Sequence, residues 1–190
     1  MQLADTSAIV PGGASGLGAA TAAALAAKGA SVFALDLQAS IDKATPVDGV
    51  TLVPTDVTNE DEVRAAVILA GESNPLKAAV NCAGIGTAGR ILTRGGIGDI
   101  GAYRRTIEVN LIGTYTVLAV AAEAIAKTEA DENGQRGVIV NTASIAAFDG
   151  QIGQAAYSPS RGGVVWLSLR STRGLAQFGI RVNPVAPGIV

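Results

Sequence analysis

Between the short apolar run at 7–10 and an alanine-rich run that starts near Leu17, the chain reads Pro11-Gly12-Gly13-Ala14-Ser15-Gly16-Leu17-Gly18. Glycines at this density let a backbone turn tightly and pass close to a neighbour or a ligand with no side chain between them. Set between a strand and a helix, they mark the first crossover of a parallel sheet, since parallel strands need such a connection to return to their own sheet. The rest of the chain repeats the alternation. Strands are expected at 7–10, 31–36, 51–55, 78–83, 138–143 and 181–186, each short and apolar as in sheets covered on both faces. Helices are expected at 17–28, 60–72, 100–127 and 157–177, the second opened by Asn59 as N-cap with Glu62 three residues on. Residues 84–98 show no clear period and read as an irregular, glycine-rich connection.

At 190 residues the chain fits one domain, 1–190, around one core. A net charge of −2 with only 16% charged residues offers no basic patch for nucleic acid or an acidic membrane. There is no histidine and a single cysteine, Cys82, so a metal site, a Ser-His-Asp triad and an internal disulfide all lack their usual parts. No uncharged apolar run reaches about 18 residues. The expectation is a cytoplasmic protein that acts on a small molecule.

The glycine loop opens a helix, whose first-turn N–H groups and partial positive charge suit a pyrophosphate. Gly12, Ser15, Gly16, Leu17 and Gly18 are therefore candidate cofactor contacts, although a glycine-rich loop is also simply a tight turn. Asp36 closes the second strand about 20 residues on, where a carboxylate accepts both adenosine-ribose hydroxyls and repels a 2′-phosphate. That favours NAD over NADP, the plainer reading being a strand-end turn residue. Asp56-Val57, ending the third strand, suits the adenine edge and equally an ordinary turn.

Gly12-x-x-x-Gly16-x-Gly18, Asn81-Cys82-Ala83-Gly84, Asn110, Ser144, Tyr157 with a cation four residues later, and Pro187-Gly188 resemble, in order and spacing, the short-chain dehydrogenase/reductase family. Residues 134–157 most resemble its 3-hydroxyacyl-CoA dehydrogenase branch. The resemblance implies a Rossmann-like doubly wound α/β sheet of order 3-2-1-4-5-6 with helices on both faces. It also implies hydride transfer between NAD and a secondary alcohol or ketone, with Ser144, Tyr157, Arg161 and Asn110 as the catalytic set. Cys82, Ala83, Gly84, Tyr157, Arg161, Pro187, Gly188 and Val190 would add to the cofactor contacts. Ser144, Gln151 and Tyr157 would face an acyl-CoA or related substrate, and the two long helices would pair copies into a homo-oligomer. Independently of the resemblance, a chain without histidine leaves the phenol of Tyr157 as the natural proton donor to a ketone oxygen.

Four positions depart from the family pattern. Arg161 stands where a lysine is usual, and Pro11, Pro159 and Pro184 stand where the family has other residues. Arginine supplies the positive charge, worth about 4 kcal/mol to a phenolate ~4 Å away at an effective dielectric of 20. Its guanidinium is larger, planar and effectively never deprotonated. Reduced turnover with much of the NAD affinity kept is the expectation, the alternatives being a non-catalytic NAD-binding homologue or an oligomer partner of a longer relative. The family pattern continues past Val190 through a seventh strand and a substrate segment, which are expected to be absent here.

Overall fold

The computed structural model describes residues 2–188. In chain order its elements are β1 (Ser7–Pro11), α1 (Gly16–Ala26), β2 (Ser31–Asp36), the short α2 (Gln38–Ile41), β3 (Val50–Pro54), α3 (Glu60–Ser73) and β4 (Leu76–Asn81). A small hairpin follows, β5 (Leu92–Thr93) with β6 (Gly96–Ile97). Then come α4 (Ile100–Ile107), a π-helical turn (Glu108–Gly113), α5 (Thr114–Ala126), β7 (Gly137–Thr142), a 3₁₀ turn (Ile145–Ala147), α6 (Tyr157–Leu175), a second 3₁₀ turn (Ala176–Phe178) and β8 (Ile180–Val185).

Six strands form one parallel sheet in the order β3-β2-β1-β4-β7-β8, the expected doubly wound order once the hairpin is counted. The register brings the carboxyl ends to one edge: Asp36 lies opposite Pro54, Asn81 opposite Asn141, and Thr142 opposite Val185. The winding reverses between β1 and β4, and a crevice opens where adjacent crossovers leave in opposite directions.

Alternation along the strands sorts the core into two layers. Ile9, Phe33, Leu35, Leu76 and Ile139 point to the face covered by α3, α5 and part of α6. Ala8, Val10, Val32, Ala34 and Ala78 point to the face covered by α1, whose own contact residue is Ala22. The first layer carries the large side chains, each worth about 1.5–3 kcal/mol when buried. The second is thin because alanine meets alanine, which lets α1 lie close to the sheet.

Prolines fall where a missing N–H costs least. Pro159 is the third residue of α6, in the first turn, where no intrahelical donor is required. Pro184 lies in β8, an edge strand among the described residues. Pro11 ends β1, and its carbonyl still accepts from Cys82 N at 2.9 Å.

Three local features differ from the sequence expectation. Residues 84–98 contain the β5–β6 hairpin, and α2 occupies 38–41; both are shorter than any periodicity reveals. The helix expected at 100–127 is interrupted by the π turn around Asn110. By length and composition the stretch Ile100–Ala126, whose most apolar 18-residue window has a mean hydropathy of 1.6, could cross a membrane, but half of that window is buried inside the fold. Its apolar side chains belong to the core: Val117, Ala121 and Ile125 are fully buried.

Candidate active site

A cleft of about 430 Å³ opens at the carboxyl edge of the sheet. Its first wall is the glycine loop with the start of α1. A Cβ at position 18 would run into the carbonyl oxygen of Gly12, so glycine there is what lets α1 sit directly on the turn. Gly16 has φ +51° with open space where a Cβ would stand, a vacancy a side chain would fill. Ser15 occupies the N-cap position of α1 with no cap bond from its side chain, and the first turn holds no acidic residue. The N-terminus of α3 is the opposite case: Asn59 Oδ1 accepts from Asp61 N and Glu62 N, and three acidic residues fill the first turn. Of these two helices, α1 alone offers free donors and an uncompensated positive end.

Gly12, Ser15, Gly16, Leu17, Gly18, Asp36, Asp56, Val57, Cys82, Ala83 and Gly84, all expected from the sequence, line this one cleft. Asp36 accepts from Ala14 N through Oδ2 (3.1 Å) and from Leu37 N through Oδ1 (2.9 Å). Those bonds tie the carboxylate to the glycine loop and leave roughly half of its acceptor capacity for a ligand. Asp56 Oδ1 accepts from Thr58 N (2.9 Å) and Thr58 Oγ1 (2.7 Å), while Asp56 N donates to Glu62 Oε2 at 2.7 Å. Glu62 reaches back to its own N-cap, Oε1 accepting from Asn59 Nδ2 at 2.8 Å, and through Oε2 it fastens the cleft loop as well. Burial pushes the Cys82 thiol above its usual pKa, outweighing the hydrogen bond from Thr142 and the charge of Arg161. Ile85, Arg105 and Val109 also line the cleft; their one sequence signal was proximity to Gly84 and Asn110.

The second cluster lies where α6 begins. Tyr157, half-buried, is its first residue, and Arg161, one turn later, is 6% exposed. Ser144 ends the stretch after β7, and its Oγ accepts from Ala146 N at 3.2 Å, capping the 3₁₀ turn that packs on α6. The hydroxyl proton of Ser144 thus stays available. A buried polar ladder holds α6 in place: Asn81 Nδ2 donates to Asn141 Oδ1 (2.8 Å), Asn141 Nδ2 to Ser168 Oγ (2.9 Å), and Ser168 Oγ to Val164 O (2.7 Å).

Arg161 and Asn110 differ from the roles expected of them. The guanidinium carbon of Arg161 stands 5.1 Å from the centre of the Tyr157 ring, and Nη1 donates to Thr142 O at 2.8 Å. Nη2 is pressed against the site where Gly84 would carry a Cβ, and Nε is buried with no partner. Arg161 fills the space between the ends of β4 and β7 and does not line the cleft, as the expected ribose contact requires. The reason is bulk: a planar fork anchored on Thr142 cannot also extend as a slender ammonium does. Asn110 is fully buried in the π turn. Its Oδ1 accepts from Ile85 N (2.8 Å), and its Nδ2 donates to Ile85 O (3.0 Å) and Ser160 Oγ (3.0 Å). Both amide protons are spent, so the side chain pins the loop after β4 to α6.

Gln151 is exposed and lies in a separate hollow beside Gly89, Ile91 and Pro159, its N–H donating to Gln154 Oε1 at 2.9 Å. Pro187 O accepts from Ile145 N at 3.1 Å, bracing the 3₁₀ turn, and Gly188 is exposed. Neither lines the cleft. Val190 lies outside the described residues. Among the described residues no group of acidic, cysteine or histidine side chains could hold a metal ion.

The cleft thus suits an elongated ligand with an anionic middle and a hydroxyl-bearing end, and the Ser144–Tyr157 cluster suits proton transfer to an oxygen beside it. The family model described as short chain dehydrogenase matches residues 6–190. Human 3-hydroxyacyl-CoA dehydrogenase type-2 is 46% identical over 188 residues, 96% of this chain and 72% of that protein. The Bos taurus protein of the same name is 47% identical over 189 residues, with the same coverage. The crystal structure of 3-hydroxyacyl-CoA dehydrogenase type-2 from Mycobacterium avium superposes with a TM-score of 0.90 at 44% identity, covering 98% of this chain and 75% of that one.

Proposed function

Because the chain belongs to the short-chain dehydrogenase family and is an oxidoreductase, we propose that it moves a hydride between NAD and the secondary alcohol or ketone of a 3-hydroxyacyl thioester. The observation that carries the reading is one sheet edge holding three features: the uncapped N-terminus of α1, the loop-anchored carboxylate of Asp36, and the Ser144–Tyr157 pair. The family uses NAD or NADP; the choice of NAD rests on Asp36, whose charge repels a 2′-phosphate. The glycine loop would hold the pyrophosphate and Asp36 the adenosine ribose. The bound dinucleotide supplies the hydride donor or acceptor.

The chain's own residues supply the proton chemistry. The Tyr157 phenol gives a proton to the ketone oxygen in reduction and takes it back in oxidation. The Ser144 hydroxyl, already accepting from Ala146 N, donates its proton to the same oxygen and so favours the charge developing there. Arg161 contributes a fixed cation stacked on the Tyr157 ring. A guanidinium does not pass protons on, so the relay position at residue 161 is altered. That observation favours a second reading, an NAD-binding homologue with slow chemistry.

The thioester substrate is taken from the names of the relatives. It is supported by an apolar hollow of about 620 Å³ beside Ala155 and Ala156, lined by Ile91, Ile97 and Ile100 and wide enough for an acyl chain. A groove between α5 and α6, with Tyr115 and Phe178 on its rim, supports pairing of copies through these helices. The test is NADH oxidation followed by absorbance with acetoacetyl-CoA, run beside NADPH. Oxidation of NADH in preference to NADPH is expected. A preference for NADPH would remove the Asp36 argument, and NADH binding without turnover would select the second reading.

A further inference from the structure

Arg105 is the one cation among the residues lining the dinucleotide cleft. Its side chain is exposed and takes part in no hydrogen bond or ion pair among the described residues. The two carboxylates of the same cleft are each bonded elsewhere, Asp36 to Ala14 N and Leu37 N, Asp56 to Thr58. A guanidinium that shares a cleft with two carboxylates and pairs with neither is uncommitted, and its cleft is built for a ligand with a flat aromatic end.

Its position says which end. Arg105 and Val109 are four residues apart and both line the cleft. The π turn then seats Gly113 against the Val57 side chain, so closely that a Cβ there would stand 2.7 Å from Val57 Cγ2. The row from Arg105 to Gly113 therefore runs along the wall that carries Asp56 and Val57. The free N–H groups for a pyrophosphate are on α1, at the glycine loop.

We infer that Arg105 clamps the adenosine half of the dinucleotide by laying its guanidinium on the purine face. Guanidinium is planar and weakly hydrated, and it stacks on aromatic faces where lysine contributes only a point charge. Val57, buried and apolar, bounds the base on the wall below. The inference rests on the dinucleotide reading of the cleft.

The test is titration of NADH, ADP-ribose and AMP into the unaltered chain and into Arg105→Ala and Arg105→Lys, by calorimetry or nucleotide fluorescence at low and high salt. All three ligands should bind about tenfold more weakly to Arg105→Ala, by nearly the same factor because all carry the base. Arg105→Lys should recover little, and added salt should change the factor little. Equal affinity in Arg105→Ala overturns the clamp and leaves the dinucleotide reading standing. A loss for NADH and ADP-ribose that spares AMP, is recovered by lysine and fades in salt also overturns it, in favour of a charge acting on the pyrophosphate. No binding of any nucleotide to the unaltered chain overturns both. A charge that served only the C-terminal end of α4 would shift the thermal midpoint of the free protein and leave every affinity unchanged, a fourth outcome against the clamp.

Discussion

Arg161 places a permanent charge where the family pattern has a lysine, and its anchorage on Thr142 O fixes where that charge sits. Replacing it by lysine removes the fork that fills the gap beside Gly84 and restores a group able to extend and to pass a proton. Arg161→Lys should raise kcat at least tenfold, since a misplacement of about 1 Å at a reacting centre costs on the order of a hundredfold. Steady-state kinetics checks this, and an unchanged kcat would mean that the stacked guanidinium already does what the ammonium does. The same geometry predicts a coupling. Gly84→Ala forces a methyl against Arg161 Nη2 and should cost about 2 kcal/mol of stability. Most of that cost should vanish in the Arg161→Lys background, a non-additivity that denaturant unfolding of the two single variants and the double variant will reveal.

Cys82 gives a pH dependence of defined sign. Burial raises its pKa in the fold, so the fold prefers the protonated thiol. The contribution is intact below the pKa of the unfolded thiol, about 8.5. It is lost as pH rises from there through the folded value. The urea midpoint of the parent should therefore fall more steeply between pH 8 and pH 10 than that of Cys82→Ala. Parallel curves would refute the shift.

Among the elements, two asparagines separate what a helix cap contributes from what a buried tie contributes. Asn59 caps α3 at the surface, and Asn59→Ala should cost about 1 kcal/mol with activity unchanged. Asn110→Ala leaves Ile85 N and O without this partner, takes one donor from Ser160 Oγ, which still donates to Tyr157 O, and should cost about 3 kcal/mol, with kcat falling as well. Thermal unfolding and the absorbance assay read both. The contrast also marks what the sequence disclosed. The cap was legible because Asn59 and Glu62 are three residues apart and act locally, Asn59 Nδ2 donating to Glu62 Oε1; the second bond of Glu62, from Asp56 N, was not. The partners of Asn110 were not, because Ile85 and Ser160 are each 25 or more residues away and meet it only through the sheet. The six strands were readable within one or two residues because a doubly covered strand is a plain apolar run between turn residues. The β5–β6 hairpin and α2 were hidden, being two to four residues long. Eleven of the eighteen residues that line the cleft were read from the sequence, the glycine loop and Asp36 because they belong to one βαβ unit. The Tyr157–Arg161 spacing gave the helix face correctly and could not give the direction of the fork, which Thr142 decides from another strand.

Across the whole molecule, the side chains left over point to association. Trp166 is 71% exposed and Tyr115 56%, on the two helices that flank a groove rimmed by Phe178. We propose that this apolar face is a contact surface between copies. Trp166→Glu should shift the protein towards monomer in sedimentation velocity at micromolar concentration, and a parent that sediments as a monomer would remove this face from consideration. The π turn has a consequence of a different kind. It inserts one residue per turn beyond the α-helical count, so the faces of α4 and α5 are out of step by about 100° relative to one continuous helix. α4 can thus present Arg105 to the cleft while α5 presents Val117 and Ala121 to the core. The spacing between residues 105 and 117 works as a fixed gear ratio: a one-residue deletion would turn one helix against the other and cost the cleft or the core its wall.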